Sequence, residues 1–117
     1  MNNQKIAKIG EKIGLTYLIK KGYQIIATNQ RYRVGEIDLI AKKGRKLIFI
    51  EVKTRTNWQF GYPEQSFNYL KKRRFKLAIG RYLRQTKYRG NWQVDLIAID
   101  LQGNKAKLRH YQSVELN

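Results

Sequence analysis

Apolar residues recur at helical spacing in two stretches of the chain. In the first stretch they occupy every third or fourth position, with lysines on the opposite side: Ile6, Ile9, Ile13 and Tyr17. This periodicity predicts a helix over Gln4–Lys21, with Gly22 as its stop signal. The second stretch predicts a helix over Glu64–Thr86, beginning just after Pro63. The apolar face of that second helix is expected to consist of Phe67, Leu70, Phe75, Ala78 and Tyr82.

Five shorter runs are rich in β-branched and aromatic residues, which is typical of strands. The predicted strands cover Tyr23–Thr28, Glu36–Ala41, Leu47–Lys53, Trp92–Asp100 and Ala106–Tyr111. The segments Asn29–Arg33 and Asn57–Pro63 are expected to be turns or loops. The polar, glycine-containing segment between the second and third runs predicts a hairpin.

The order of these elements is αβββαββ, which predicts an α/β fold with a mixed central sheet flanked by helices. The third and fourth strands are joined through a helix, so we expect them to be parallel. A chain of 117 residues has the size of one domain, expected to span residues 1–117. The chain has no cysteine, which excludes disulfides and thiolate metal sites. Together with the lack of a signal peptide or a long apolar run, this favours a cytoplasmic protein without a membrane span.

The charge balance indicates a polyanionic partner. The chain contains 25 Lys and Arg against 8 Asp and Glu, a formal net charge of +17. Nucleic acid is the commonest partner of such a chain, because binding to phosphates releases counterions. An acidic membrane surface, or a ribosome-associated protein that is simply basic, are the alternatives that composition leaves open.

The excess positive charge is concentrated in the second predicted helix. No acidic residue lies between Glu64 and Asp95, and the segment 71–89 contains nine Lys and Arg among tyrosines. Such a run is often a solvated face, but nothing of opposite sign balances it here. We therefore expect it to contact a phosphate backbone. The candidate nucleic-acid-binding residues are Lys71, Lys72, Arg73, Arg74, Arg81 and Arg84.

The hairpin register brings acidic residues together. If Gly44-Arg45 forms a two-residue turn, Asp38 lies directly opposite Glu51. Glu36 then lies opposite Lys53, and all four side chains project from one face because side chains alternate along a strand. Opposed carboxylates repel each other unless a cation or a shared proton lies between them.

Two opposed carboxylates suit a hard divalent cation, Mg²⁺ or Mn²⁺, which prefers oxygen ligands. Lys53 could then position a water or stabilise charge that develops on a phosphate. The chemistry expected is metal-assisted phosphodiester hydrolysis. An E-x-K sequence alone more often belongs to a solvated strand face with a surface ion pair. The second acid at the correct spacing, inside an apolar sheet, favours a site.

The segments GEIDLIA (35–41) and IFIEVKTR (48–55) closely resemble the paired motifs of YraN-type proteins. These are a bacterial family similar to archaeal Holliday junction resolvases, within the PD-(D/E)xK nuclease superfamily. The resemblance extends over most of the chain and includes Gly10-Glu11, Asn29, Arg31, Phe60-Gly61, Tyr82-Leu83 and Asp95. The proline that precedes the acid in the superfamily is absent here, where Ile37 precedes Asp38.

The resemblance implies a restriction-endonuclease-like core with Asp38 and Glu51 as metal-binding acids and Lys53 as the catalytic lysine. It also implies a metal ligand from the main-chain carbonyl of Val52 and a fourth acid, Glu11, from the first helix. For Glu11, an exposed glutamate in contact with Lys8 or Lys12 is an equally good interpretation. Resolvases act as symmetric homodimers, but no dimer surface is visible in this sequence.

The remaining candidates have supporting roles. Glu36 is expected to sit behind the ligands and to pair with Lys53. Gln65 resembles a Q-x-x-x-Y motif of some nucleases, and Lys71 could reach the edge of the sheet, although helix solvation is the preferred interpretation of both. His110 is the only histidine and is expected to be structural, so no histidine-based catalytic dyad or zinc site is expected.

The combined features predict an endonuclease that acts on DNA, with branched or otherwise structured DNA as a candidate substrate. One alternative is a nucleic-acid-binding module of the same fold without turnover. The other is a basic protein of RNA or ribosome assembly, in which the acidic hairpin is structural.

Overall fold

A computed structural model describes residues 2–57 and 61–116 of the chain. The elements in these ranges are α1 (Asn3–Lys20), β1 (Gln24–Tyr32), β2 (Gly35–Lys43), β3 (Lys46–Arg55), a 3₁₀ helix (Pro63–Ser66), α2 (Tyr69–Thr86), β4 (Trp92–Gln102) and β5 (Lys105–Tyr111). The predicted loop at Asn57–Pro63 and the Phe60-Gly61 pair fall partly on residues 58–60, which lie outside the described residues. No helix in the described ranges is long and apolar enough to cross a membrane.

The described strands form one sheet in the order in which they occur in the sequence, β1-β2-β3-β4-β5. Neighbouring strands are antiparallel except β3 and β4, which are parallel from Leu47 beside Trp92 to Arg55 beside Asp100. Parallel neighbours cannot be joined by a tight turn, and here the connection contains α2. The predicted mixed sheet, its flanking helices and the order αβββαββ are confirmed.

Each face of the sheet carries an apolar cluster, and each helix packs on one of them. On the α1 face, Leu18 packs with Ile50 and Ile97. On the α2 face, Phe75 packs in the same cluster as Phe49. Because β3 and β4 are covered on both faces, their central residues are buried without alternation.

Helix α1 approaches β3 closely because small residues line its buried side. Gly10, Gly14 and Leu18 are the buried positions of this helix and follow one another at i, i+4. A side chain at Gly10 would meet Thr54, and one at Gly14 would meet Val52. The close approach holds the first helix over the end of β3 where the site residues lie.

The second helix begins later than the sequence pattern predicts, so the predicted start at Glu64 is wrong. Pro63–Ser66 form a separate 3₁₀ helix, and Asn68 caps α2 by accepting a hydrogen bond from the Lys71 N–H at 3.1 Å. Asparagine is among the preferred capping residues because its side-chain oxygen satisfies a free helical N–H. The break changes the helical phase, and Leu70, predicted on the apolar face, is 54% exposed.

The turn predicted at Asn29–Arg33 lies later in the chain, because β1 continues to Tyr32 and the turn covers Arg33 and Val34. Asn29 adopts a left-handed conformation with φ of 49°, which asparagine tolerates better than most residues. The residues before and after it remain paired with β2. The polar residues Asn29, Gln30 and Arg31 therefore belong to the strand, and Arg33 belongs to the turn that follows it.

A charged network fastens the 3₁₀ helix to β4 and β5. Arg109 donates to the two Glu64 carboxylate oxygens at 2.6 and 2.8 Å and to Asp100 Oδ2 at 2.6 Å. Tyr111 donates a further hydrogen bond of 2.6 Å to Glu64. The Arg109 guanidinium holds the pKa of the Glu64 carboxyl at about 2, below its ordinary 4.5. The network holds the chain that leads into α2 against the sheet.

The helix–strand contact predicts different outcomes for alanine at two neighbouring glycines. A Cβ at Gly10 would overlap Thr54 Oγ1 and lie 2.9 Å from Thr54 Cβ, so Gly10→Ala should destabilise the protein by about 1–3 kcal/mol. A Cβ at Gly14 meets nothing closer than 3.5 Å. Gly14→Ala should therefore be neutral, or stabilising by roughly 0.5–1 kcal/mol through helix propensity. Urea unfolding of both variants measures the difference, and equal effects would contradict the close contact.

The Glu64 pKa predicts how stability depends on pH in acid. Because this pKa is depressed in the folded state, the stabilisation is fully present above pH 4.5 and is lost as pH falls towards 2. The loss should be on the order of 2–3 kcal/mol. Arg109→Gln should lower stability at neutral pH and flatten this part of the profile. Thermal unfolding monitored by circular dichroism between about pH 2 and 6 tests this prediction. If stability depended on pH equally steeply in Arg109→Gln and in wild type, that result would argue against the network.

Candidate functional site

The site forms where regular pairing between β2 and β3 ends. The pairs run from Lys43–Lys46 to Leu39–Ile50, so the register predicted for a two-residue turn is confirmed along this length. Beyond it, the Val52 N–H donates to Asp38 Oδ2 at 2.8 Å. A side-chain carboxylate thus satisfies a backbone donor at the point where the two strands stop pairing.

Asp38 and Glu51 form an acid pair that is largely shielded from water. The two residues are 8% and 9% exposed, and their carboxyl groups share a hydrogen bond. Burial raises the pKa of Asp38 well above its usual range, and the hydrogen bond and charge of Glu51 raise it further. The Val52 N–H and the Lys53 charge act in the opposite direction. The pair therefore takes up a proton far more readily than an exposed aspartate would.

Lys53 lies beside this acid pair, two residues after Glu51 on the same strand face. Its ammonium nitrogen is 3.6 Å from Glu51 Oε2, and both side chains are mostly buried, at 20% and 11% exposure. The lysine charge also lowers the pKa of Asp38. The structure brings together the three residues that the sequence singled out.

Glu11 faces the pair from α1. It is partly buried, its carboxylate hydrogen-bonds with Asn29, and Asp38 lies close enough to repel it. Burial, followed by the charge of Asp38, raises the Glu11 pKa. In the described part of the chain, no three of the acids and histidines form a group tight enough for a metal ion. Metal ligation by Glu11 and by the Val52 carbonyl stays a prediction.

Glu36 differs from the prediction, because its ion pair is with Arg31 and not with Lys53. The two side chains are neighbours across β1 and β2, their charged atoms are 3.5 Å apart, and they are 62% and 77% exposed. Pairing of β2 with β3 ends before Glu36, so it is not held opposite Lys53. An ion pair this exposed contributes little stability.

Gln65 and Lys71 have different positions. Gln65 accepts a hydrogen bond from the Tyr62 N–H at 2.8 Å within its own 3₁₀ turn, which places it in a local structural role. Lys71 extends from the first turn of α2 into contact with the Lys53 ammonium, close to Glu51 and Arg55. Burial, followed by the contact with Lys53, lowers the pKa of Lys71. Lys71 therefore belongs to the site, although helix solvation was the preferred interpretation.

The basic residues of α2 lie on the same side of the sheet as Glu51 and Lys53. Most of these residues are exposed, and Lys72 and Arg81 are partly buried: Lys71, Lys72, Arg73, Arg74, Arg81 and Arg84. Lys72 lies over the Phe67 ring, with its ammonium 5.8 Å from the ring centre. We call these six residues the basic surface of α2.

The model of the family described as "Uncharacterised protein family UPF0102" matches residues 10–99, a span that contains both site strands and α2. The chain belongs to the UPF0102 family. A UPF0102 protein from Caldicellulosiruptor bescii is 40% identical over 112 residues, covering 92% of this chain and 94% of that protein. A UPF0102 protein from Carboxydothermus hydrogenoformans is 38% identical over 115 residues, covering 97% and 98%. A third, from Thermodesulfovibrio yellowstonii, is 39% identical over 109 residues, covering 93% and 94%.

This UPF0102 protein also contains a histidine–aspartate pair that the sequence interpretation missed. His110 Nε2 lies 2.7 Å from Oδ2 of the fully buried Asp95, and its Nδ1 lies 2.9 Å from the Tyr17 hydroxyl. Gln93 and the Ser113 N–H donate to the other Asp95 oxygen. The hydrogen bonds of His110 to Asp95 and Tyr17 fit the structural role that was expected for this histidine. An acid inside an apolar strand was the available signal, the same one that singled out the acid pair.

The acid pair predicts that this UPF0102 protein is more stable without one of its charges. Because the Asp38 pKa is raised in the folded state, ionising it costs stability as pH rises above the usual aspartate range. In EDTA at neutral pH, Asp38→Asn should raise Tm by a few degrees, since asparagine can still accept from Val52 N–H and donate to Glu51. The matched variant Asp100→Asn should lower Tm, because it removes the negative charge that faces Arg109. If Asp38→Asn lowered Tm as much as Asp100→Asn does, the ionised Asp38 carboxylate would not be destabilising the fold.

Proposed function

We propose that this UPF0102 protein is a metal-dependent endonuclease related to the PD-(D/E)xK nucleases. Its proposed substrate is DNA, with branched or otherwise structured DNA as the preferred class. The observation that carries the proposal is the buried pair of Asp38 and Glu51 with the Lys53 ammonium 3.6 Å from the second acid. A buried acid whose pKa is raised by a second acid, with a cation beside the two, is characteristic of functional sites.

The residues present fit a hard divalent cation. Asp38 and Glu51 offer adjacent carboxylate oxygens, which Mg²⁺ and Mn²⁺ prefer as ligands. The chain has no cysteine, and its single histidine is bonded to Asp95, so a softer metal finds no matching donors here. A cation held by the two acids would neutralise their repulsion and supply Lewis-acid catalysis to phosphodiester hydrolysis.

The protein residues supply positioning and charge. The Val52 N–H fixes the orientation of the Asp38 carboxylate. Lys53 can donate a hydrogen bond to a phosphate oxygen and stabilise negative charge that develops there. The low exposure of all three side chains strengthens these electrostatic interactions, because less water screens them.

The basic surface of α2 supports nucleic acid as the substrate. Contacts from lysine and arginine to phosphates fix the position of a strand without reading its sequence. Since Lys71 at the start of α2 contacts Lys53, the basic surface leads directly to the acid pair. A backbone bound along α2 would thus pass the site.

Cleavage assays test the proposal directly. Wild type with Mg²⁺ or Mn²⁺ should cut branched DNA, and Asp38→Ala, Glu51→Gln and Lys53→Met should each lower the rate by about 10²–10⁴-fold. Glu115→Gln removes an exposed carboxylate near the C terminus and should cut at the wild-type rate. If wild type and Asp38→Ala are equally inert while both still bind DNA, the chain is a binding module and the enzyme proposal fails.

Metal binding has a readout that does not depend on activity. Mg²⁺ or Mn²⁺ should raise the Tm of wild type, because a ligand that binds only the folded state stabilises it. The rise should disappear in Glu51→Ala and persist in Glu115→Gln. A strong preference for RNA over DNA, with no effect of divalent cations on Tm, would instead support the RNA-assembly alternative.

A further inference from the structure

Strand β3 carries a row of charged residues towards α2. Glu51, Lys53 and Arg55 occupy alternate positions, so they share one face of the strand. Lys71 from α2 contacts the Lys53 ammonium and lies within electrostatic range of Arg55. Two lysines and an arginine therefore converge at the end of β3.

These cations are poorly compensated by protein groups. The Arg55 Nε is buried and has no hydrogen-bond partner in the described part of the chain. An unsatisfied buried donor costs free energy, and two ammonium groups in contact repel each other. Glu51 is the carboxylate that faces them, and it is already shared with Lys53 and Asp38.

Three other carboxylates of the described chain are engaged elsewhere. Glu64 and Asp100 bind Arg109, and Glu36 pairs with Arg31. A cavity of about 340 Å³ opens at the end of β3, where Lys53 and Arg55 line it together with Asn3, Ile6 and Ala7 of α1. The end of β3 therefore combines one unsatisfied buried donor, excess positive charge and a cavity that Lys53 and Arg55 line.

We propose that Arg55 and Lys71 form a subsite for one phosphate of a bound DNA strand. This phosphate is next to the one to which Lys53 would donate a hydrogen bond. The guanidinium of Arg55 presents parallel N–H donors that match phosphate oxygens, and its free Nε is one of them. The Lys71 ammonium would be drawn from Lys53 towards the same anion. The identification of the anion as a DNA phosphate rests on the proposed function. Both residues are positioning residues and not catalytic ones.

The first test measures DNA binding in EDTA, where no cleavage occurs. Arg55→Gln and Lys71→Gln should each weaken binding of a short labelled duplex about 10-fold, and each should reduce the slope of log K against log salt by about 1. Because the two residues share one phosphate, the double variant should lose about the same slope as either single variant. Lys105→Gln removes an equal charge at the start of β5 and should weaken binding no more than about 2-fold.

The second test uses inorganic phosphate, which separates the anion site from the remainder of the DNA surface. At constant ionic strength, phosphate in place of chloride should raise the Tm of wild type and of Lys105→Gln. The rise should be absent in Arg55→Gln and Lys71→Gln, and Arg55→Lys should recover part of it by restoring the charge without the Nε donor. Circular dichroism of each variant establishes that it is folded.

Three outcomes would overturn the subsite. The first is that Arg55→Gln and Lys71→Gln weaken DNA binding no more than Lys105→Gln does. The second is that the double variant loses about twice the salt slope that either single variant loses. The third is that phosphate still raises the Tm of both single variants. Failure of the subsite is distinguishable from failure of the proposed function. Asp38→Ala should retain phosphate binding whether or not wild type cleaves DNA, whereas Arg55→Gln should retain the stabilisation by Mg²⁺.

Discussion

The free-energy cost of holding Asp38 against Glu51 in a buried part of the sheet constrains the rest of this structure. Burial raises the cost of ionising Asp38 because it removes the screening water, and the neighbouring Glu51 raises that cost further. The apolar clusters on the two faces of the sheet offset that cost, because β3 and β4 are buried along most of their length. The Val52 N–H and Lys53 supply the local compensation that keeps the pair in place.

The two helices complete the site from opposite faces of the sheet. Helix α1 brings Glu11 towards Asp38 because glycines allow it to lie directly on β3. Helix α2 brings Lys71 to Lys53 because the helix begins at Tyr69, which puts Lys71 in its first turn. A continuous helix from Glu64 would have presented different residues to β3. The start of α2 is thus as important for the site as the acidic motif.

Two polar networks stabilise the edge of the sheet that lies away from the acid pair. One joins Arg109 to Glu64 and Asp100, and the other joins His110 to Asp95 and Tyr17. The residues of β5 that take part lie beyond the matched segment of the UPF0102 family model, which ends at residue 99. Each network ties this last strand to an element distant in sequence, and none of the six side chains belongs to the acid pair.

The sequence by itself determined the order of elements, the hairpin register and the set of Asp38, Glu51 and Lys53. These follow from alternation, turn length and apolar periodicity, which are properties of neighbouring residues. Tertiary structure decided the partner of Glu36, the late start of α2 and the histidine–aspartate pair. Those features depend on where strand pairing ends, on the capping of α2 by Asn68 and on packing between segments that are distant in sequence. The contact between Lys71 and Lys53 is of this second kind, because it exists only once α2 is docked on the sheet.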